Sequence, residues 1–208
     1  YLNEVLYQLG YLYIETKHYK NSINSFEEYL SKGYKTHADE VQYQLGILYI
    51  KTKQPLKAIA VYEQYLSGEV KEHTAMTQLS LGSLYLGAKQ PFLALAAFEN
   101  ARQYPQYQHN IELLQTLNVL YRETASDAKY IKFLKEVAFD SKLSEKDRHE
   151  FQTQLYLKYY DQENCVKFIS ELGKKPGYLK YSKNSNLDEW HHFLFLRGGC
   201  FFEEQSWS

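Results

Sequence analysis

This 208-residue sequence has few cysteines, almost no net charge and no long apolar run, and each of these features argues against a class of protein. The two cysteines, Cys165 and Cys200, lack the spacing of a disulfide scaffold. Lys and Arg nearly balance Asp and Glu at a net charge of −1, which argues against nucleic-acid binding. No run of about 18 apolar residues occurs, and no signal peptide is visible. We therefore expect no membrane span and a cytoplasmic location.

Motifs that bind phosphate, metal or a redox partner are also missing from the sequence. There is no Gly-rich phosphate loop, no His-Glu-x-x-His and no Cys-x-x-Cys. His191 and His192 with Cys200 come nearest to a metal cluster, but adjacent residues on a helix point about 100° apart. Cys165 has no clear base beside it that would make it a nucleophile. We predict that the chain is not an enzyme and needs no metal or cofactor.

The sequence does contain a segment that recurs at a fixed interval. Residues 7–13 read YQLGYLY, residues 43–49 read YQLGILY, residues 79–85 read LSLGSLY, and a weaker copy at residues 115–121 reads QTLNVLY. The fourth position of each copy lies 36 residues from the next, at Gly10, Gly46, Gly82 and Asn118. A period of this size indicates a tandem array of structural repeats.

Each repeat contains two amphipathic stretches, which predict two helices. In the first repeat, apolar residues recur at spacings of three and four over residues 3–16 and again over residues 19–30. Gly33 suits a left-handed end to the second helix. Pro55 and Pro91 open the second helices of the next two repeats, where a missing N–H costs little. For the first helices of repeats two to four we predict the N-caps Thr36, Thr74 and Asn110.

The pattern predicts an all-α protein made of helix–turn–helix repeats with a period of 36. Residues 1–172 are predicted to hold five repeats, at about residues 3–35, 37–70, 74–105, 110–141 and 145–172. The fifth repeat follows the helix-start sequence Ser144-Glu145-Lys146-Asp147. A lysine-rich loop follows over residues 173–186. Residues 187–208 predict the first helix of a partial sixth repeat or a capping helix, with a short strand at 191–196 as the alternative. Because its second helix is missing, we expect the parent protein to be longer.

The spacing of small and aromatic residues resembles the tetratricopeptide repeat, a helix–turn–helix of about 34 residues. That family has Leu-Gly followed by an aromatic residue, then a small residue early in the second helix and an aromatic residue four positions later. These places are held here by Leu9-Gly10, Tyr13, Ser22 and Phe26, by Leu45-Gly46, Tyr49, Ala58 and Tyr62, and by Leu81-Gly82, Tyr85, Ala94 and Phe98. The resemblance is strong over residues 1–105 and weaker beyond. It implies a right-handed α-solenoid whose first helices line a groove.

The recurring small residues predict how the two helices of a repeat pack. The predicted packing pairs are Gly10 with Ser22, Gly46 with Ala58, and Gly82 with Ala94. The glycine lets the second helix approach closely, and the small residue completes the contact. Where the glycine becomes Asn118, its partner becomes Tyr130, which predicts a filled contact and a larger helix separation in repeats four and five. Overpacking predicts that Gly46→Leu costs about 1–3 kcal/mol.

The resemblance also implies which first-helix residues line the groove. Carried over position by position, the predicted partner-binding residues are Glu4, Tyr7, Tyr11, Ile14, Glu40, Tyr43, Ile47, Ile50, Leu79, Ser83, Leu86, Glu112 and Val119. The centre of this set is aromatic and aliphatic, and the acids Glu4, Glu40 and Glu112 follow one edge. Apolar anchors beside acids suit an amphipathic helix or extended peptide that carries Leu- or Phe-type anchors and Lys or Arg.

A carboxylate clamp for acidic chaperone tails is absent from this set. The family's clamp places Lys and Asn where this chain has Tyr7, Tyr11, Tyr43 and Ile47. We therefore predict a non-enzymatic protein–protein interaction scaffold or adaptor of another specificity. Two alternatives remain open. In the first, the chain is a structural subunit that contacts a large complex through its ends and convex face, and its groove residues only pack on the next repeat. In the second, the chain is a regulatory domain of a longer protein.

Overall fold

The computed structural model describes residues 1–67 and 72–161, which form nine α-helices and contain no strand. The helices are α1 (Leu2–Glu15), α2 (Tyr19–Ser31), α3 (Ala38–Lys51), α4 (Pro55–Leu66), α5 (Thr74–Gly87), α6 (Pro91–Arg102), α7 (Ile111–Thr124), α8 (Asp127–Ala138) and α9 (Glu145–Asp161). The all-α prediction is confirmed. The predictions made for Cys165, for the loop 173–186 and for residues 187–208 lie outside the described residues.

The helices pack in chain order, as tandem repeats require. Within repeats, α1 contacts α2, α3 contacts α4, and α5 contacts α6. Between repeats, α2 contacts α3, α4 contacts α5, and α8 contacts α9. The interfaces bury aromatic residues of the second helices, among them Phe26, Tyr29, Tyr62 and Tyr65. Each helix pair therefore shields its apolar side against its neighbours.

The chain divides into two compact parts, Tyr1–Leu113 and a second part that begins at Leu114. The first part contains α1 to α6, which are three complete repeats. The second part, as far as it is described, contains most of α7 together with α8 and α9. Most of the predicted partner-binding residues fall in the first part.

The turn between the two helices of a repeat has one conformation in the first three repeats. Lys17, Lys53 and Lys89 lie in the left-handed region, with φ of 60°, 59° and 58°. In the first turn, the N–H groups of Lys17 and of the next residue donate to carbonyls of the last turn of α1. This double hydrogen bond is a common helix ending, usually built on glycine. Pro55 and Pro91 then begin α4 and α6, as predicted.

Three further predictions for helix ends are confirmed. Gly33 has a φ of 72° after the end of α2. Asn110 caps α7, because its Oδ1 accepts the N–H of Leu113 at 2.8 Å. Before α9, Ser144 Oγ accepts the N–H of Asp147 at 3.1 Å and donates to its carboxylate at 2.6 Å. These local signals determine where the helices begin and end.

The predictions of Thr36 and Thr74 as N-caps are wrong. The N-caps of α3 and α5 are His37 and His73, and neither caps the helix with its side chain. The backbone N–H of His37 instead donates to the hydroxyl of the buried Tyr29 at 3.1 Å, and His73 is held in the same way. A tyrosine of the preceding helix therefore fixes the start of the next repeat, and this contact overrides the local preference for threonine.

The recurring glycines allow close helix approach, as predicted, but a different residue occupies the space. A Cβ added at Gly82 would lie 2.5 Å from the ring of Phe98, and one at Gly10 or Gly46 would also overlap the equivalent ring. The predicted partner was the small residue four positions earlier in the second helix. The buried aromatic ring is what makes a side chain at these positions intolerable.

In the fourth repeat the same register is filled by a polar pair. The Tyr130 hydroxyl donates to Asn118 Oδ1 at 2.8 Å, and both residues are buried. In the first repeat the equivalent positions are joined by Ser22 Oγ, which donates to the Gly10 carbonyl at 2.7 Å. These two hydrogen bonds join positions that were predicted to pair, and the pairing of Gly46 with Ala58 and of Gly82 with Ala94 stays a prediction. The larger helix separation stays a prediction, and its fifth-repeat case involves Phe168, outside the described residues.

Candidate interaction surface

None of the residues predicted to bind a partner is buried. The exposed ones are Glu4, Glu40, Ile50, Ser83, Leu86, Glu112 and Val119, and the half-buried ones are Tyr7, Tyr11, Ile14, Tyr43, Ile47 and Leu79. All of them lie on the first helices of repeats, at α1, α3, α5 and α7. Val119 belongs to the second compact part. We call the members on α1, α3 and α5 the first-helix surface.

Glu40 on α3 binds two tyrosines of α1. Its carboxylate accepts hydrogen bonds from the Tyr7 hydroxyl at 2.8 Å and from the Tyr11 hydroxyl at 2.7 Å. The two tyrosine rings also meet edge to face, with their centroids 4.9 Å apart. Glu40 was predicted as one of several rim acids, and the structure shows instead an acid that joins the first two repeats.

These contacts shift the ionisation of all three groups. The hydrogen bond from Tyr11 holds the pKa of the Glu40 carboxyl below its usual value against an opposing effect of burial, and Tyr7 adds to the lowering. Burial and the bond to Glu40 raise the pKa of both tyrosine hydroxyls. At neutral pH the site therefore contains a carboxylate and two protonated phenols, which makes it an acceptor for a cation.

Two tyrosine–histidine stacks lie along the same surface. The rings of Tyr7 and His37 stack with centroids 4.1 Å apart, and those of Tyr43 and His73 do the same at 4.1 Å. His37 Nε2 also lies 3.8 Å from a carboxylate oxygen of Glu4, an ion pair when the imidazole is protonated. The structure thus brings Glu4, Tyr7 and a histidine together at the start of the array.

The histidines are residues of this surface that sequence reasoning missed. A signal was present, because His37, His73 and His109 are spaced at the 36-residue period. They lie just before the first helices, in the inter-repeat connection, whereas the predicted surface comprises only positions within the helices. Their recurrence at the period is itself a sign that they have the same place in each repeat.

The third repeat changes the character of the surface. Leu79 and Ser83 stand where the first repeat has Tyr7 and Tyr11, and Ser83 Oγ donates to the carbonyl of Leu79 at 3.1 Å. Leu86 is 40% exposed, and Ile50 on α3 is 42% exposed. The surface therefore runs from an aromatic and acidic end at α1 to an aliphatic end at α5.

A second tyrosine–glutamate contact joins α3 to α2 of the preceding repeat. Tyr49 donates to Glu27 at 2.5 Å, and Lys57 Nζ lies 3.2 Å from the same carboxylate. The bond from Tyr49 lowers the pKa of Glu27, with a smaller contribution from Lys57. Tyr85 and Glu63 repeat the first contact one repeat later, at 2.5 Å. An open cavity of about 460 Å³ lies here, lined by Glu27, Leu30, Ser31, Leu45, Tyr49, Lys57, Ala60, Val61 and Gln64.

Neither a candidate metal site nor a candidate membrane span occurs in the described part of the chain. Across residues 1–67 and 72–161, no group of three or more His, Cys, Asp or Glu side chains is placed to hold a metal ion. No helix in these same ranges has the length and apolar character needed to cross a bilayer.

Comparison with known proteins gives matches at the level of the repeat and of the fold. The family model described as "Tetratricopeptide repeat" matches residues 4–31 and 39–67. No curated protein matches the chain by sequence. A solved tetratricopeptide repeat protein from Parabacteroides merdae is 15% identical at a TM-score of 0.56, over 95% of this chain and 74% of its own.

Two further solved structures share the fold. YrrB, described as a TPR protein with an unusual peptide-binding site, is 14% identical at a TM-score of 0.53, over 85% of this chain and 89% of its own. MamA is 14% identical at a TM-score of 0.51, over 89% of this chain and 96% of its own. At such identities the likeness establishes the fold and says nothing of the ligand. The period and the glycine–aromatic packing agree with the family model, and residues 4–31 and 39–67 are tetratricopeptide repeats.

Proposed function

We propose that the chain is a non-enzymatic interaction scaffold that holds a segment of a partner protein against the first-helix surface. The partner segment carries Leu- or Phe-type anchors and at least one Lys or Arg. The tetratricopeptide fold supports this proposal, because proteins of the family bind peptides and other proteins. The polarity of the surface, acidic at α1 and aliphatic at α5, sets the order in which the segment presents these groups.

The observation that carries the proposal is the arrangement of Tyr7, Tyr11 and Glu40. A carboxylate offers about four lone-pair positions, and the two phenolic hydrogens occupy two of them. Glu40 is exposed, so the remaining positions can accept an ammonium or guanidinium group. The neighbouring tyrosine rings favour a cation further through their electron-rich faces. Such a preformed site binds a basic side chain without having to be reorganised first.

The aliphatic end supplies places for apolar anchors. Ile50 and Leu86 occupy the same register on α3 and α5 and leave about two fifths of their surface exposed. Ile47 on α3 and Leu79 on α5 are half-buried. Burying such side chains under a partner's Leu or Phe provides most of the binding free energy at interfaces of this kind.

One observation favours a second candidate, a structural subunit that contacts its partners through an end of the array. Val5 and Leu12 on α1 are 51% and 52% exposed. Their equivalents one repeat later, Val41 and Leu48, are buried at 0% and 1% under the preceding repeat. The corresponding side of α1 is therefore apolar and exposed in the described residues, and either a partner subunit or another repeat of a longer chain would cover it.

A peptide-display library selected on the purified chain, followed by fluorescence anisotropy with the selected peptide, distinguishes the two candidates. We expect Ile50→Asp to weaken binding by at least about tenfold, because a charge replaces an anchor site. Glu40→Gln is expected to weaken the binding of a peptide that contains Arg and to leave the binding of its Arg→Ala analogue unchanged. Leu12→Asp is the matched control, since Leu12 is at least as exposed as Ile50 but lies on the outer side of α1.

The opposite pattern would reject the first-helix surface. If Leu12→Asp abolishes binding while Ile50→Asp and Glu40→Gln retain it, the end face is the interaction site. Circular dichroism of each variant is needed beside the anisotropy, and all three side chains are exposed enough for the fold to persist.

A further inference from the structure

The turns that join the two helices of each repeat form a basic edge in the first compact part. We call residues 15–20, 51–57 and 87–93 the turn edge. It contains one acid, Glu15, and six lysines, all exposed, namely Lys17, Lys20, Lys51, Lys53, Lys57 and Lys89. The chain as a whole has a net charge of −1, so this edge concentrates positive charge that is balanced elsewhere.

Neighbouring turns lie side by side on this edge. Lys51 Nζ, at the end of α3, lies 5.3 Å from the ring centroid of Tyr19, at the start of α2. Lys57 reaches back to Glu27 of the preceding repeat at 3.2 Å, and that carboxylate neutralises part of its charge. The third turn has the same backbone conformation, with Lys89 in the left-handed region.

Stability does not explain why lysine occupies the left-handed backbone positions of the three turns. A left-handed position favours glycine, or asparagine, because an ordinary side chain clashes there with its own backbone. All three turns nevertheless place a lysine at this position, in Lys17, Lys53 and Lys89. Backbone strain that recurs in three successive turns points to a use for the side chain. What these three side chains share is an exposed positive charge.

Apolar side chains project from the same edge. Leu56 and Phe92 follow the prolines that open α4 and α6, and they are 76% and 69% exposed, with Leu93 at 48%. Exposure this high means that the side chains stand away from the protein and form no groove of their own. A protein partner would need a pocket to receive them, whereas a lipid layer receives projecting apolar side chains of any shape.

We propose that the turn edge binds the surface of a membrane that contains anionic phospholipids. The lysines lie against the phosphate and carboxylate headgroups, and Leu56 and Phe92 enter the boundary between headgroups and acyl chains. The combination of basic and apolar side chains is the one that peripheral attachment requires, since neither signal alone gives stable binding. The first-helix surface shares no residue with this edge.

The test is flotation of the full chain with vesicles of phosphatidylcholine alone or of phosphatidylcholine with phosphatidylserine. We expect binding only to the anionic vesicles and a loss of binding at high salt. Lys53→Asn with Lys89→Asn removes two charges at positions whose backbone asparagine tolerates, and it should weaken binding about fivefold for each lysine. Leu56→Ser or Phe92→Ser should weaken it about tenfold.

Matched controls come from elsewhere in the same part of the chain. Lys32→Asn with Lys35→Asn removes two exposed charges from the inter-repeat connection, and Val5→Ser removes an exposed apolar side chain from α1. Both should bind anionic vesicles as the unchanged chain does. Absence of binding to anionic vesicles at low salt would overturn the proposal, and so would equal losses in the controls. Binding of an acidic amphipathic probe peptide through Lys53 and Lys89, without vesicle binding, would show that the edge is a protein site instead.

Discussion

The hydroxyl of Tyr130 donates a 2.8 Å hydrogen bond to Asn118 Oδ1, and both groups are buried where other repeats pack a glycine against an aromatic ring. The same position between the two helices of a repeat is thus packed in two different ways. In the first three repeats a glycine, which has no side chain, leaves room for an aromatic ring of the second helix. In the fourth, a polar side chain fills the space and is satisfied by a tyrosine.

Tyr130→Phe should destabilise the chain by about 1–3 kcal/mol, because it leaves the Asn118 amide oxygen buried without its donor. Urea unfolding followed by circular dichroism measures the loss. A double-mutant cycle with Asn118→Ala should give a smaller loss than the sum of the two single variants. Additivity to within about 0.5 kcal/mol would mean that the two side chains are not coupled.

Gly46→Ala should lower the free energy of unfolding by about 1–3 kcal/mol, since the new Cβ overlaps the buried ring of Tyr62. Gly46→Leu should cost at least as much. The control is Gly87→Ala at the end of α5, where nothing lies within 4 Å of the added Cβ. That change should be neutral or stabilise by up to about 1 kcal/mol, because alanine favours the helix. An equal effect of Gly46→Ala and Gly87→Ala would contradict the packing described here.

Lys53→Gly should stabilise the chain by roughly 0.5–1 kcal/mol, because glycine adopts the φ of 59° without strain. Thermal and urea unfolding both report the gain. Lys20→Gly, within α2, is the comparison and should lose about 1 kcal/mol through the low helix propensity of glycine. If Lys53→Gly also destabilises the chain, the left-handed lysine makes stabilising contacts that outweigh its strain.

Tyr11→Phe should make stability less dependent on pH below about pH 4.5, the ordinary pKa of the Glu40 carboxyl. The folded pKa of Glu40 is depressed, so its contribution is present above that pH and disappears as the pH falls through the folded value. The variant loses the hydroxyl that contributes most to the depression. Urea midpoints at roughly pH 6 and pH 3 give the comparison.

Tyr13→Phe, on the same helix, should keep the pH dependence of the unchanged chain, because Tyr13 does not bind Glu40. A Tyr11→Phe variant whose stability falls as steeply with acid as the unchanged chain would show that Tyr11 does not control this carboxylate.

The register of the repeats was predictable because each signal is local. Gly10, Gly46 and Gly82 recur at one spacing, and a glycine inside a helix indicates a close neighbour whatever the rest of the chain does. For the same reason, Pro55 and Pro91 predicted where α4 and α6 begin. The identity of the neighbouring group was not predictable, because the ring that meets each glycine lies sixteen residues further along the sequence.

The role of the candidate surface in binding stays a prediction, but the structure bears on its accessibility and on its chemistry. Every residue assigned to it is at least partly accessible, since helix periodicity determines which side of a helix faces away from the core. Glu40 was assigned as an acid on the rim, yet its two oxygens are bound by Tyr7 and Tyr11 from another repeat. Whether an exposed acid is unpaired or bound depends on which side chains of a neighbouring repeat reach it.

The sequence by itself determined the helices, their pairing into repeats and the side of each helix that faces the core, because these follow from spacings of three, four and 36 residues along one chain. Only the tertiary structure decided that His37 rather than Thr36 begins the second repeat, and that Lys17, Lys53 and Lys89 adopt left-handed backbone. Both depend on contacts between groups that the chain brings together only when successive helices pack, and a local preference of about 1 kcal/mol is too small to resist such packing.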